Sequence, residues 1–195
     1  MEVYFDNAAT TRIRHEVVDE IKNCLLETYG NPSSTHSFGR SAKSKLENAR
    51  KVIASYLNAS PQEIIFTSGG TESDNMLIRC SVKDMGVTTI ISSRIEHHAV
   101  LHTLDDLESS GINIKYVKTN NKGQVDFQDL ERLLKEDNSK KLVTLMYVNN
   151  EIGTILDLER VGLLCKELNA LFHTDAVQGV AHFNIDVKKY NIDFL

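Results

Sequence analysis

The chain has 195 residues, of which 41% are hydrophobic and 25% are charged, as is ordinary for a folded globular protein. This length allows one domain with a substantial core. The net charge of −5 argues against a nucleic-acid binder, because phosphate backbones require a basic face. No window has the roughly 18 consecutive apolar residues of a membrane helix, and residues 1–10 lack the pattern of a secretory signal. We therefore expect a cytoplasmic protein.

Helical and strand-like patterns alternate along the chain. Apolar residues at helical spacing predict helices over residues 13–29 and 41–57, a short strand over 63–67 and a helix over 72–84. The remaining sequence predicts helices that begin near residues 98, 127 and 158, and strands over 88–92, 112–117, 142–148, 170–173 and 192–195. Alternation of this kind indicates βαβ units, so the predicted fold class is α/β with a largely parallel sheet.

The three cysteines, Cys24, Cys80 and Cys165, are far apart and form no CxxC pair. Their odd number and wide spacing favour neither a disulfide framework nor a zinc site. Cys24 and Cys165 fall on the apolar faces of predicted helices, where cysteine packs as a small hydrophobic residue. We expect none of the three to be reactive.

Polar clusters follow several predicted strands, and the carboxyl ends of parallel strands are where such sheets bind ligands. The first cluster, Thr67-Ser-Gly-Gly-Thr-Glu72, stands between a strand and a helix. Its glycines allow close backbone approach, and the free N–H groups of a helix start favour an anion, with Thr71 as a further donor. The alternative is a simple N-capping turn. A P-loop is not indicated, because no Gly-Lys-Ser/Thr sequence follows.

The second cluster is Glu96-His97-His98, after the strand predicted at 88–92. A histidine here can lie flat on a bound aromatic ring or transfer protons near neutral pH. His98 and His102 also have the i, i+4 spacing of a zinc pair, but the HExxH order is missing and no third ligand is evident. We therefore interpret that pair as solvated surface residues and predict no metal.

Two further clusters follow buried strands. Val148-Asn-Asn-Glu-Ile-Gly153 carries amides and a carboxylate that can orient a small polar ligand, with an Asn-rich turn as the alternative. Asp175 lies in His173-Thr-Asp-Ala-Val-Gln178. A carboxylate that emerges from a buried strand requires a cation, and a protonated pyridine nitrogen would be one. Without a cofactor, Asp175 would pair with an arginine or cap a helix.

The order and spacing of these clusters resemble those of aminotransferase-fold enzymes that use pyridoxal 5'-phosphate (PLP). Within this class V, fold type I group, the sequence is similar to the cysteine desulfurases of the NifS/IscS kind. The resemblance implies a three-layer αβα fold with a mostly parallel (mixed) sheet. The matching stretches span essentially the whole chain: Asp6-Asn-Ala-Ala-Thr-Thr11, Gly30-Asn-Pro-Ser-Ser34, Glu63-Ile-Ile-Phe-Thr-Ser-Gly-Gly-Thr-Glu-Ser-Asp-Asn75, Glu96-His97, Val148-Asn-Asn-Glu-Ile-Gly-Thr154 and Phe172-His-Thr-Asp-Ala-Val-Gln178.

The resemblance also implies roles for individual residues. Gly70 and Thr71 would hold the cofactor phosphate. His97 would stack on the pyridine ring and assist proton transfer, which makes it the predicted catalytic residue. Asp175 would pair with the pyridinium nitrogen, and Gln178 would hydrogen-bond the phenolate oxygen of PLP.

Three positions complete this comparison. Asn150 would contact the cofactor or the carboxylate of the substrate amino acid. Gly70 stands where the family commonly has alanine, and Arg12 stands where it usually has proline. We expect both departures to be tolerated.

The implied function is that of a cysteine desulfurase, which converts L-cysteine to L-alanine and passes the sulfur on as an enzyme persulfide. The sulfur serves iron–sulfur cluster assembly or thiolation. Family members form homodimers, so we expect a second copy, a sulfur-acceptor or scaffold protein and L-cysteine as partners.

In the family, the Schiff-base lysine of Ser-x-Ser-x-His-Lys and the persulfide cysteine come after the position of Leu195. We therefore interpret residues 1–195 as an N-terminal segment plus most of the PLP-binding large domain, and expect this chain by itself to be inactive. Two alternatives stay open. One is a non-catalytic binding module, and the other is a different β-eliminating PLP enzyme such as a selenocysteine lyase.

Overall fold

A computed structural model describes residues 1–195, which divide into two compact units, Met1–Ile64 and Ile65–Leu195. The first unit contains helices α1 (His15–Glu27) and α2 (Ser37–Leu57) and a one-turn 3₁₀ helix (Pro61–Glu63). Both long helices were predicted, but α2 begins earlier than residue 41. The reason is its N-cap, because Nδ1 of His36 accepts a hydrogen bond from the Gly39 N–H at 3.3 Å.

The strand predicted over residues 63–67 is wrong. Pro61–Glu63 forms a 3₁₀ turn, in which the Glu63 carboxylate accepts a hydrogen bond from the Ser60 N–H at 2.6 Å. Residues 64–67 have no regular strand structure, and Ile65 and Phe66, which suggested the strand, are exposed. β-branched and aromatic residues favour a strand only where they fit a half-buried sheet surface, so residue type alone does not make this run a strand.

The second unit alternates helices and strands, and its four strands form one parallel sheet in the order β2-β1-β3-β4. The α/β prediction is confirmed. In chain order the elements are α3 (Gly70–Lys83), β1 (Thr89–Ser92), α4 (His98–Ser109), β2 (Asn113–Tyr116), α5 (Phe127–Lys135), β3 (Lys141–Thr144), α6 (Leu158–Glu167) and β4 (Leu171–His173).

The strand order places the helices in layers on both faces of the sheet. The connection from β1 to β2 runs in one direction, whereas the connections through α5 and α6 run in the other. Because parallel crossovers are right-handed, α4 lies on one face and α5 and α6 lie on the opposite face. The direction changes between β1 and β3, and ligands bind at the carboxyl ends of strands at such a switch point.

The core packs against the central strands. Every residue of β1 and β3 is buried, as expected for strands covered on both faces. On the side of α3 and α4, one cluster of buried apolar side chains fills the space below the helices: Ile78, Val87, Ile90, Val100, Leu104, Leu107 and Leu142.

Two predicted strands are shorter than expected. The apolar run over residues 142–148 leaves the sheet after Thr144, although the Leu145 and Tyr147 N–H groups still donate to the carbonyls of His173 and Asp175. The strand predicted over 192–195 is reduced to one bridge between His173 and Phe194. The chain there runs beside β4 without forming a regular ladder.

The cysteines are all free thiols, and no helix is long and apolar enough to cross a bilayer. Cys165 is buried as predicted, and burial raises the pKa of its thiol. Cys24 departs from the prediction, since it is only half-buried and its Sγ lies 3.3 Å from Lys45 Nζ. Cys80 is exposed.

Leu104 of α4 tests the packing of the core cluster. We expect Leu104→Ala to lower the free energy of unfolding by about 2–5 kcal/mol, because it removes buried methyl groups and leaves a cavity. Leu104 is 0% exposed, whereas Leu163 of α6 is 47% exposed. The matched Leu163→Ala change should cost less than about 1 kcal/mol. Denaturant unfolding of both variants measures the difference, and equal losses would contradict this account of the core.

Candidate functional site

The N-terminus of α3 lies at the carboxyl end of the sheet and has no side-chain cap. Its N-cap residue is Gly69, so the capping turn considered as the alternative for Thr71 does not form. The Glu72 carboxylate turns back to the N–H of Ser68 at 2.6 Å and to the Ser68 hydroxyl at 2.5 Å, and these hydrogen bonds lower the pKa of Glu72. The first amides of the helix are therefore available to an anion.

The turn that follows β4 reaches the start of α3. A Cβ atom on Gly70 would lie 2.8 Å from Cγ2 of Val177, so the turn and the start of the helix approach closely at this glycine. The Val177 N–H donates to Oδ1 of Asp175 at 3.0 Å. The structure thus brings Gly70 and Asp175, two of the predicted site residues, to the same edge of the sheet.

Asp175 is buried at 8% exposure and forms no ion pair with a lysine, arginine or histidine. Its backbone carbonyl accepts the Tyr147 N–H at 2.8 Å, which fixes the chain just after β4. The structure therefore contains neither the arginine partner nor the helix cap considered as alternatives from the sequence. A buried carboxylate without a cation is costly, so these surroundings fit a cationic ligand.

Two other acids near Asp175 were not singled out from the sequence. Burial raises the pKa of Asp74 to about 7, with a further contribution from the charge of Asp175. Burial also raises the pKa of Glu96 to about 8, although the Ser93 hydroxyl and the Met146 N–H donate to it at 2.5 and 2.7 Å. Their positions were a usable signal, because Asp74 lies one helical turn after Gly70 and Glu96 precedes His97.

His173 supplies no positive charge to these acids. It is completely buried in β4, and burial lowers its pKa to about 3. Its Nδ1 lies 2.8 Å from Oγ1 of Thr144, and its Nε2 lies 3.5 Å from Oδ1 of Asp74. The imidazole is therefore neutral at physiological pH, and the acids around it have no protein cation.

His97 is the N-cap of α4, and its Nδ1 accepts the Ala99 N–H at 3.1 Å. The rest of the ring is exposed at the mouth of the site. Asn75 of α3 links that helix to α4. Its Nδ2 donates to the Ala99 carbonyl at 3.3 Å, and its Oδ1 accepts from the Thr103 hydroxyl at 2.7 Å. His97 and Gly70 thus begin two adjacent helices.

His98 and His102, the histidine pair on α4, form no metal centre in the structure. The rings of His98 and His102 stack with centroids 5.2 Å apart, and both are exposed. Asp106, one turn further on, pairs with Arg79 at 2.6 Å. No group of three or more histidine, cysteine, aspartate or glutamate side chains is arranged to hold an ion.

The two asparagines after β3 have different surroundings. Asn149 is buried, donates to the Ile95 carbonyl at 2.7 Å and accepts the N–H groups of Glu151 and Ile152 at 2.9 and 3.0 Å. Asn150 is only half-buried, and its amide donates to the Glu151 carboxylate at 2.8 Å. Asn149 therefore holds the turn, which leaves Asn150 at the rim.

Gln178 lies half-buried in the turn that follows Asp175. The uncapped start of α3 at Gly70, the imidazole of His97, the buried carboxylate of Asp175 and Gln178 thus lie at one edge of the sheet. This combination fits the phosphate, the ring nitrogen and the ring face of a pyridoxal cofactor.

Residues 3–195 match the class-V aminotransferase family, so the chain belongs to this family. The assignment agrees with the geometry of the site. Enzymes of this family, cysteine desulfurases included, depend on PLP.

Curated relatives of this chain include cysteine desulfurases. The chain is 45% identical over 196 residues to the "Putative cysteine desulfurase IscS 1" of Bacillus subtilis (strain 168), a match that covers 99% of this chain and 51% of the relative. It is also 45% identical over 196 residues to the "Cysteine desulfurase IscS" of Methanosarcina thermophila, covering 99% of this chain and 48% of that protein. The chain therefore spans about half the length of the curated relatives it matches.

Solved structures resemble the fold closely. A "NIFS-LIKE PROTEIN" superposes with a TM-score of 0.93 at 40% identity, covering 100% of this chain and 55% of that one. A structure described as "SspA in complex with cysteine" superposes with a TM-score of 0.91 at 36% identity, covering 97% of this chain and 55% of that one. The prediction of a cysteine desulfurase-like sequence on this fold is confirmed.

The two adjacent asparagines give a matched test of the turn after β3. We expect Asn149→Ala to lower the free energy of unfolding by about 1–3 kcal/mol, because two N–H groups and a carbonyl lose a buried partner. Asn150→Ala should change it by less than about 0.5 kcal/mol, since that side chain is not buried. Thermal or chemical unfolding measures both, and a larger effect for Asn150 would refute the division of roles.

Proposed function

We propose that this chain binds PLP and that the protein to which it belongs is a cysteine desulfurase that acts on L-cysteine. The observation that carries the proposal is the Asp175 carboxylate, which is buried and without a protein cation beside the uncapped start of α3. A ligand with a cationic ring and a phosphate satisfies both features at once. The cysteine desulfurases among the relatives support the choice of substrate.

In this proposal the backbone amides at Gly70 and Thr71 hold the cofactor phosphate, and Asp175 holds the ring nitrogen in its protonated form. When bound, PLP supplies an electron-withdrawing ring that stabilises negative charge on the α-carbon of the substrate. Asp175 sustains that property, because a neighbouring carboxylate favours the protonated ring nitrogen.

His97 is proposed to cover the ring and to move protons through Nε2. Its Nδ1 already accepts the Ala99 N–H, so in the neutral imidazole the proton is on Nε2. Gln178 is proposed to donate to the phenolate oxygen of the cofactor. Asn150 is proposed to bind the cofactor or the substrate carboxylate, for which its amide must leave Glu151.

We further propose that the protein forms a homodimer and delivers sulfur to an acceptor or scaffold protein for iron–sulfur cluster assembly or thiolation. Both proposals come from the sequence resemblance. Sedimentation of the complete protein tests the first, and sulfur-35 transfer from labelled cysteine to candidate acceptors tests the second. The cytoplasmic location stays a prediction, which cell fractionation can test.

The Asp175→Asn variant tests whether the Asp175 carboxylate pairs with the cofactor ring. We expect its affinity for PLP to fall at least about 100-fold, because the buried cationic ring loses its counter-charge. Absorbance or fluorescence titration of the purified protein with PLP measures the dissociation constant. In the complete protein, release of alanine from cysteine should fall with it.

The control is Asp105→Asn, which removes an exposed carboxylate of α4 outside the site. That variant should bind PLP as the unchanged protein does. If Asp175→Asn also binds PLP with unchanged affinity, the carboxylate does not pair with the ring and the proposed function fails.

A further inference from the structure

Asp74 and His173 meet beneath the site, between α3 and β4. Oδ1 of Asp74 lies 3.5 Å from Nε2 of His173, and the two residues are 5% and 0% exposed. On the other side of the ring, Nδ1 lies 2.8 Å from Oγ1 of Thr144. Nε2 has no hydrogen-bond partner, although it is fully buried. An unsatisfied polar atom is costly in such a place, so a proton between Nε2 and Asp74 would remove a real penalty.

The surrounding elements provide no positive charge that would keep Asp74 ionised. Asp175 follows β4, Glu96 follows β1, and neither pairs with a lysine or arginine. On the packed helices, Arg79 already pairs with Asp106, and Glu72 accepts from Ser68. The remaining titratable groups of α4 near its start are exposed imidazoles: His97, His98 and His102. Neighbouring buried carboxyl groups without a cation cannot all be ionised.

Hydrogen bonds distinguish the three acids. Glu96 accepts from the Ser93 hydroxyl and the Met146 N–H, and Asp175 accepts from the Val177 N–H. Asp74 accepts no hydrogen bond, so no donor stabilises its ionised form. A protonated Asp74 can donate to Nε2 of His173, while Nδ1–H donates to Thr144. That arrangement gives both ring nitrogens of His173 a hydrogen-bond partner.

We propose that Asp74 is a positioning residue that keeps its proton and donates it to Nε2 of His173, so that Asp175 is the anion presented to the cofactor ring. The role toward the ring rests on the proposed function, whereas the proton on Asp74 does not. Burial and the nearby Asp175 raise the pKa of Asp74 to about 7, in agreement with the geometry.

The proton has a measurable consequence for stability. An aspartate in the unfolded chain releases its proton near its ordinary pKa of 3.8, whereas the folded chain keeps it up to about pH 7. Stability must therefore fall as pH rises through this window, by about tenfold in the folding constant per pH unit for each retained proton. Glu96 contributes in the same direction up to about pH 8.

Infrared spectroscopy of the full chain without cofactor tests the assignment directly. With carbon-13 in the aspartate carboxyl groups, we expect a protonated-acid C=O band at pH 6 that shifts with the label and disappears as pH rises past 7. The label separates aspartate from Glu96, and the Asp74→Asn variant separates Asp74 from Asp175, the other buried aspartate of the site. A chain with no labelled acid band at pH 6 would overturn the proposal.

Asp74→Asn supplies the matched variant, because its amide can still donate to Nε2 but cannot lose a proton. We expect this variant to lack the labelled band. Between pH 5 and 7, its folding constant should fall about tenfold less per pH unit than that of the unchanged protein. Its affinity for PLP should stay within about threefold of that of the unchanged protein. A loss of PLP affinity as large as that of Asp175→Asn would overturn the proposal, since Asp74 would then act as an anion.

These outcomes separate the two ideas. An unchanged protein that shows the labelled band and fails to bind PLP would support the proton on Asp74 and contradict the proposed function. Binding of PLP without the band would support the proposed function and contradict the role of Asp74.

Discussion

The burial of the Asp175 carboxylate without a protein cation is the constraint on which the rest of the site depends. Two backbone N–H groups hold Asp175. That of Tyr147 donates to its carbonyl, and that of Val177 donates to its side chain. The carboxylate therefore cannot turn toward solvent without giving up the hydrogen bond from the Val177 N–H. The cost of holding a charge there is offset only if the neighbouring acids are neutral or a cation is bound. The first condition follows from the same burial, which raises the pKa values of Asp74 and Glu96.

The scaffold around this charge is held by buried polar links at the switch point of the sheet. Glu96 joins the loop after β1 to the backbone of Met146 after β3, and Asn149 returns the connection to the Ile95 carbonyl. These two side chains cross between loops that lead to helices on opposite faces. A crevice at a switch point is open by topology, and polar links of this kind keep its walls at a fixed separation. Preorganised walls allow a ligand to bind with little reordering cost.

Much of the fold was readable from the sequence, because helical periodicity and buried apolar runs depend on local patterns. The positions of His97, Asn150 and Asp175 at strand ends were readable for the same reason. The strand predicted over residues 63–67 failed because β-propensity depends on tertiary surroundings that periodicity does not reveal. Asp74 and His173 were not predicted as a pair, since their meaning arises from contact between α3 and β4. Burial decides their protonation, and no local pattern encodes it.

In the proposed site, exposed side chains would contact the ligand, whereas buried side chains set the charge beneath it. His97 and Thr71 are exposed and Asn150 is half-buried, whereas Asp74, Glu96 and His173 lie beneath them. A group at the surface can change partners as ligands enter and leave, because water replaces any bond that it gives up. A buried group cannot, so its protonation and geometry stay fixed through such exchanges. Asp175 stands at the boundary between these layers, which is where a fixed charge can meet an exchangeable ligand.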